Sequence, residues 1–310
     1  MALGKFLRSL LLVAVLLAPV SRLSALPERR RPVIALIMKS LANEFFLTME
    51  EGAKEHQARN AARYELITRG IKDEGDVEQQ IRIVEQMIAI RVDAIVLAPA
   101  DSEALVPICR AAAGAHILVV NIDNRLDASA LAEKGLRVPY SGPNNVEGAR
   151  EVGDYLAARL EPGDKVAIVE GVPTAQNSKD RTRGFSEAME TAGMRIVDVV
   201  SGYWEMESAN AAAITIMSEF PDIKAILCGN DNMALGVVAA INAAGRSGRI
   251  LVTGFDDISA ATKLLKQDKL LVTADQHGDR IAVAGIETAL AILGGSPPAD
   301  RETSIDLVTK

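Results

Sequence analysis

From Pro32 onward the chain alternates short apolar runs with longer amphipathic stretches, and this rhythm restricts the fold more than any other feature. Strands of a parallel sheet are covered on both faces, so they read as continuous runs of Val, Ile and Leu. The helical crossovers that join them read as amphipathic segments. Runs at 33–38, 64–68, 93–99 and 117–123 form one series, and runs at 165–171, 195–202, 225–229, 250–256 and 271–276 form a second. Between the series, GLRVPYSGPNN brings a strand-like stretch to Gly142, Pro143, Asn144 and Asn145 before a new helix, which marks a crossing between domains. A helix over 279–293, the Pro-rich GGSPPAD and a last strand in SIDLV complete the chain. The pattern predicts the α/β class, with two similar doubly wound parallel-sheet lobes joined by a hinge that the chain crosses several times. The expected boundaries are 32–142 plus 277–300 for the first lobe and 143–276 plus 301–310 for the second.

Residues 1–25 fall outside this rhythm. Lys5 and Arg8 precede an apolar run from Leu10 to Val20, and small residues follow near Ala25, which reads as a cleaved export signal. The run is shorter than the roughly 20 residues that a spanning helix needs. Removal of this segment takes the formal charge from -7 to -10, and an acidic surface argues against nucleic-acid binding. Cys109 and Cys228 each sit in an apolar segment and read as buried, unpaired small hydrophobes. His56, His116 and His277 lie far apart and near no cysteine or carboxylate motif, so no metal site is expected.

Open parallel sheets place ligands beyond the carboxyl ends of their strands, and two lobes facing each other through those ends would enclose one. Asn43 precedes the first helix, and Asp123, Asn230, Asp256 and Gln276 stand at later strand exits. The Asn and Asp residues among them can cap the following helices. Together they offer the directional donors and acceptors that a ring of hydroxyls requires. Aromatic usage points the same way. Only ten aromatic residues follow Ala25, and four occur as Phe45-Phe46 and Tyr203-Trp204, both at strand exits. Neighbouring helix positions point about 100° apart, so Phe45 and Phe46 cannot simply share one core-facing stripe. Flat rings at a cleft edge suit the C–H faces of a sugar. No nucleophile motif, metal cluster or phosphate loop marks an enzyme.

These residues sit within NEFF with the following MEEG, NIDN, KDRTRGF, AILCGNDNMALG, VTGFDD and LVTADQ. In those motifs the chain resembles the periplasmic sugar-binding proteins of ABC importers, type I binding proteins of the group that includes the ribose-binding protein. The resemblance runs from about Val33 to Val308. It implies ligand contacts at Asn43, Phe45, Phe46, Asp123, Arg181, Trp204, Asn230, Asp256 and Gln276. It also implies a monomer without cofactor that presents a sugar, amino sugar or polyol to an importer permease, with a chemoreceptor as a further candidate partner. Ribose binders carry an arginine directly after the aspartate, whereas this chain has Asn124, followed by Arg125. With Asn124 counted among the ligand contacts, the pocket is expected to lose donors and to prefer something other than ribose. The same fold serves lac repressor-type regulators and other ligand sensors, so the fold alone does not choose. The regulator reading needs an N-terminal helix-turn-helix where this chain has its export signal.

Overall fold

A computed structural model of the protein describes residues 30–310, of which 31–310 form one compact unit. The expected export signal at 1–25 lies outside the described residues. The first sheet contains β1 (Val33–Ser40), β2 (Glu65–Ile71), β3 (Ala94–Leu97), β4 (Leu118–Ile122), β5 (Tyr140–Pro143) and β11 (Arg301–Thr303). Its spatial order is β11-β5-β4-β3-β1-β2, and every pairing is parallel. The second sheet contains β6 (Lys165–Glu170), β7 (Arg195–Ser201), β8 (Ala225–Cys228) and β9 (Leu251–Thr253) in the order β7-β6-β8-β9, again parallel. Beside it, β10 (Thr273–Asp275) pairs antiparallel with β12 (Asp306–Val308).

Successive side chains of β1 serve opposite faces, which is why its sequence is apolar throughout. Ile34, Leu36 and Met38 pack toward α1 (Glu44–Arg59) and α10 (Gly278–Leu293), while Ala35 and Ile37 pack toward α2 (Val77–Ala89) and α3 (Val106–Gly114). In the second lobe, α5 (Asn145–Ala157) and α6 (Gln176–Thr191) cover one face. The other face carries α7 (Met206–Glu219) and α8 (Asp231–Ala243). Cys109 and Cys228 are free and buried within these layers.

The chain passes between the lobes three times: between β5 and α5, between β10 and α10, and between β11 and β12. The segment 301–310, expected in the second lobe, begins with β11, whose residues Arg301, Glu302 and Thr303 pair with Ser141, Gly142 and Pro143 and extend the first sheet beyond β5. An edge strand leaves a row of unpaired backbone groups, and this three-residue strand covers it.

Candidate ligand-binding cleft

The carboxyl ends of both sheets face a small cavity between the lobes, with about 230 Å³ free of atoms, open solvent at its mouth included. Lobe one contributes Lys39 from the end of β1, Asn43, Phe45 and Phe46 from the start of α1, Glu74 from the loop after β2, and Asp123 from the exit of β4. Lobe two contributes Asn177 and Arg181 from α6, Trp204 from the loop after β7, Asn230 from the exit of β8, and Asp256 and Gln276 from the exits of β9 and β10.

Local backbone explains the aim of several of these side chains. Asp123 (φ 60°), Trp204 (φ 67°) and Asp256 (φ 122°) all have left-handed backbone, which non-glycine residues rarely adopt and which clusters at functional sites. A left-handed residue at a strand end turns the chain sharply, so that the side chain leaves the sheet edge instead of continuing the pleat. Asn43 and Asn230 do two jobs. Asn43 Oδ1 accepts from Phe45 N (3.1 Å), and Asn230 Oδ1 accepts from Met233 N (2.9 Å), so each caps its helix while lining the cavity. Capping and lining, which the sequence left as alternatives, coexist here.

The aromatic rings form the apolar part of the wall. Phe45 and Phe46 are both buried and meet edge to face, with centroids 5.0 Å apart. Trp204, 3% exposed, faces them from the other lobe, with Lys39 Nζ 5.6 Å and Arg181 Cζ 5.6 Å from its ring. Tyr203 is turned out to solvent and takes no part in the lining.

Charge is concentrated and nearly dry. Lys39 Nζ lies 3.6 Å from Glu74 Oε2 and 3.6 Å from Asp123 Oδ2, with all three side chains buried. Burial pushes the Glu74 carboxyl up, against the attraction of Lys39. Arg181 donates from Nε to Asn145 Oδ1 (2.8 Å) and from Nη1 to Gly229 O (2.9 Å), and Nη1 stands 3.6 Å from Asp256 Oδ1. Burial pushes Asp256 well up, while the Arg181 guanidinium and the Gln276 amide, which donates to it at 2.6 Å, oppose that shift. Behind this wall, burial raises the carboxyl of Asp231 to about 7, although Thr273 Oγ1 and Ile258 N both donate to it.

Six buried polar atoms of these lining residues accept or donate no hydrogen bond within the protein, although Lys39 Nζ stands 3.6 Å from two of them. Glu74 Oε2, Asp123 Oδ2, Asn177 Oδ1 and Gln276 Oε1 are acceptors; Arg181 Nη2 and Trp204 Nε1 are donors. Buried polar groups without hydrogen bonds are costly, so a lining that keeps six of them suits a small ligand dense in hydroxyl groups. A larger groove, with about 860 Å³ free of atoms, lies in lobe two and is lined in part by Ile241, Leu265 and Leu270, but no unpartnered buried polar atom lines it. Among the described residues, no three His, Cys, Asp or Glu side chains gather as a metal-binding set.

Nine of the ten residues expected at the site line the cavity. Asn124 does not. The left-handed turn at Asp123 sends consecutive side chains in different directions. Asn124 donates from Nδ2 to Pro99 O (2.9 Å), and its Oδ1 accepts from Asn177 N (3.0 Å) in the opposite lobe. The Asn124 side chain is thus spent on contacts within the protein and adds no donor to the cavity lining. Arg125 packs over the Tyr140 ring at 3.6 Å. Lys39, Glu74 and Asn177 were missed in the sequence. For Lys39 a signal existed, a single cation closing the apolar run of β1; Glu74 and Asn177 had none to distinguish them from solvated loop and helix residues.

The fold and cleft define a two-lobed solute-binding architecture, and comparison with known proteins agrees. Residues 34–297 match the periplasmic binding protein domain family, and the chain belongs to it. The D-ribose/D-allose-binding protein of Pseudomonas aeruginosa is 55% identical over 288 residues, covering 91% of this chain and 90% of that protein. Among solved structures, an ABC transporter solute-binding protein from Burkholderia multivorans is 56% identical, with a TM-score of 0.88 over 90% of this chain and 99% of that one. Its unidentified ligand was built as α-D-erythrofuranose. A solute-binding protein from Actinobacillus succinogenes with bound D-allose is 36% identical, with a TM-score of 0.85 over 90% of this chain and 98% of that one.

Proposed function

We propose that the protein is the extracytoplasmic receptor of an ABC importer and that its ligand is an aldose of the ribose and allose type. The observation that carries this reading is the set of six buried polar atoms without hydrogen bonds that line a cavity also holding three aromatic rings. A monosaccharide has C–H faces for Phe45, Phe46 and Trp204 and edge hydroxyls that donate to Glu74, Asp123, Asn177 and Gln276 and accept from Arg181 and Trp204. The names of two relatives, a D-ribose/D-allose-binding protein and a solute-binding protein with bound D-allose, support an aldose within that class.

In this mechanism the sugar enters while the lobes are apart and engages one of them. Rotation about the three crossings then brings up the other wall, completes the hydrogen bonds and expels water. The closed form, acting as a monomer in the periplasm after removal of its export signal, presents the sugar unaltered to the permease. No bond of the ligand is made or broken.

Calorimetric titration of the purified protein with ribose, allose, other hexoses, amino sugars and polyols tests the assignment, followed by mass analysis of the recovered ligand. Ribose or allose is expected to bind most tightly and to return unchanged. A polyol or amino sugar binding more tightly than both would overturn the aldose assignment, and chemical conversion would overturn the receptor reading.

A further inference from the structure

Five helices begin with a residue whose side chain caps the first turn: Asn43 for α1, Asp76 for α2, Asp127 for α4 (Ala128–Glu133), Asn144 for α5 and Asn230 for α8. Among the described residues, three helices of lobe two, α6, α7 and α9 (Ser259–Lys266), lack such a cap, and the first turns of α6 and α9 meet side chains of lobe one. The residue before α6 is Ala175, and the residue before α9 is Ile258. Their leading N–H groups are satisfied across the cleft. Gln176 N donates to Ser102 Oγ (2.8 Å) and Asn177 N to Asn124 Oδ1 (3.0 Å). At α9, Ser259 N donates to Glu44 Oε1 and Ser259 Oγ to Glu44 Oε2, both at 2.9 Å.

We propose that Ser102, Asn124 and Glu44 are positioning residues for closure: side chains of one lobe that cap helices of the other only when the cleft is shut. The inference rests on the reading that the lobes part to admit a sugar. A helix start leaves unsatisfied donors that attract a side-chain oxygen, and an Ala or Ile at the capping position supplies none. In the parted form these donors turn to water. In the shut form they receive three oxygens from lobe one, one of them a carboxylate that also complements the positive end of α9. The capped turn of α6 carries Asn177 and lies one turn before Arg181, so the caps fix the segment from which both reach the ligand. None of the three capping residues lines the cavity, so they stabilise the complex without touching the sugar.

The test compares Ser102→Ala, Glu44→Ala and Ala175→Ser with the wild type by ribose and allose titration, ligand-free melting temperature, and the distance between spin labels on α1 and α6. Loss of a cap is expected to weaken binding by roughly 2- to 30-fold per site. The melting temperature of the ligand-free protein should not change, and its interlobe distances should shift toward longer values. Ala175→Ser gives α6 a cap of its own, so it should raise the ligand-free melting temperature while lowering affinity. Unchanged affinity in Ser102→Ala and Glu44→Ala, or a ligand-free melting temperature that falls with the cap, would show that the contacts are static and overturn the proposal. Because the distances are read without sugar, a failure of both aldoses to bind would count against the ligand assignment and leave the distance test standing.

Discussion

The indole of Trp204 occupies the space that a side chain at Gly171 would fill. A Cβ at Gly171 would lie 2.1 Å from both Cε2 and Cζ2 of the ring. Gly171, at the exit of β6, is thus what lets the ring lie flat against the floor of lobe two. Gly171→Ala is expected to displace the indole into the cavity. Binding of ribose and allose should fall at least as far as it does on loss of the ring, with about 1 to 3 kcal/mol of lost stability from overpacking. Calorimetry and a thermal melt check both effects.

Trp204 is the only tryptophan and is buried against the cavity, so its fluorescence should report ligand entry. Trp204→Ala should weaken sugar binding by roughly 1 to 3 kcal/mol, the scale of losing a buried ring contact. An unchanged affinity in a folded variant would assign the ring to packing alone.

Arg181 spends two donors on Asn145 and Gly229 and keeps Nη2 free. Lysine retains the charge but lacks the planar fork, so it cannot make both protein contacts and still reach a ligand from a third direction. Arg181→Lys should lose about 1.5 to 3 kcal/mol of sugar binding, the value of one charged hydrogen bond. Titration of the folded variant measures it, and wild-type affinity would remove Arg181 from the contact set.

Asp231 sets a pH dependence. Its carboxyl is raised to about 7 in the folded protein from an ordinary 3.8, so the folded state holds a proton that the unfolded chain releases. Its contribution is fully present below about pH 4 and is lost as pH rises through about 7. In Asp231→Asn the amide oxygen can accept from Ile258 N while the NH₂ donates to Thr273 Oγ1. This variant should show a flatter stability curve between pH 4 and 7, by a few kcal/mol on the order of the linkage effect. Asp256 and Glu74, both also raised by burial, leave a residual slope of the same sign. Thermal melts across this range read the difference.

Much of the architecture was legible because parallel strands covered on both faces must be apolar along their whole length. The runs that became β1, β3, β4, β6 and β8 stand out for that reason. The residues at their carboxyl ends follow from the same logic, since a ligand between such sheets meets strand exits first. This is why Asp123, Asn230, Asp256 and Gln276 could be selected before any coordinates. The adjacent rings of Phe45 and Phe46 were also informative, because a helix cannot bury two neighbours on one stripe.

Tertiary structure alone decided where neighbours diverge and which charges are dry. Asp123 and Asn124 are adjacent, yet a left-handed turn sends one to the cavity and the other to the N-terminus of α6, and backbone handedness at a non-glycine residue leaves no mark in the sequence. Lys39 stands out in the sequence only as a cation closing an apolar run; its partners, Glu74 from the β2 loop and Asp123 from β4, are brought to it by the fold. Strand β11 is too short to signal its own partner, and only the open edge of β5 draws it into the first sheet. Sequence periodicity records what each segment buries, because that depends on the segment itself; the identity of the partners depends on groups that folding brings from elsewhere in the chain.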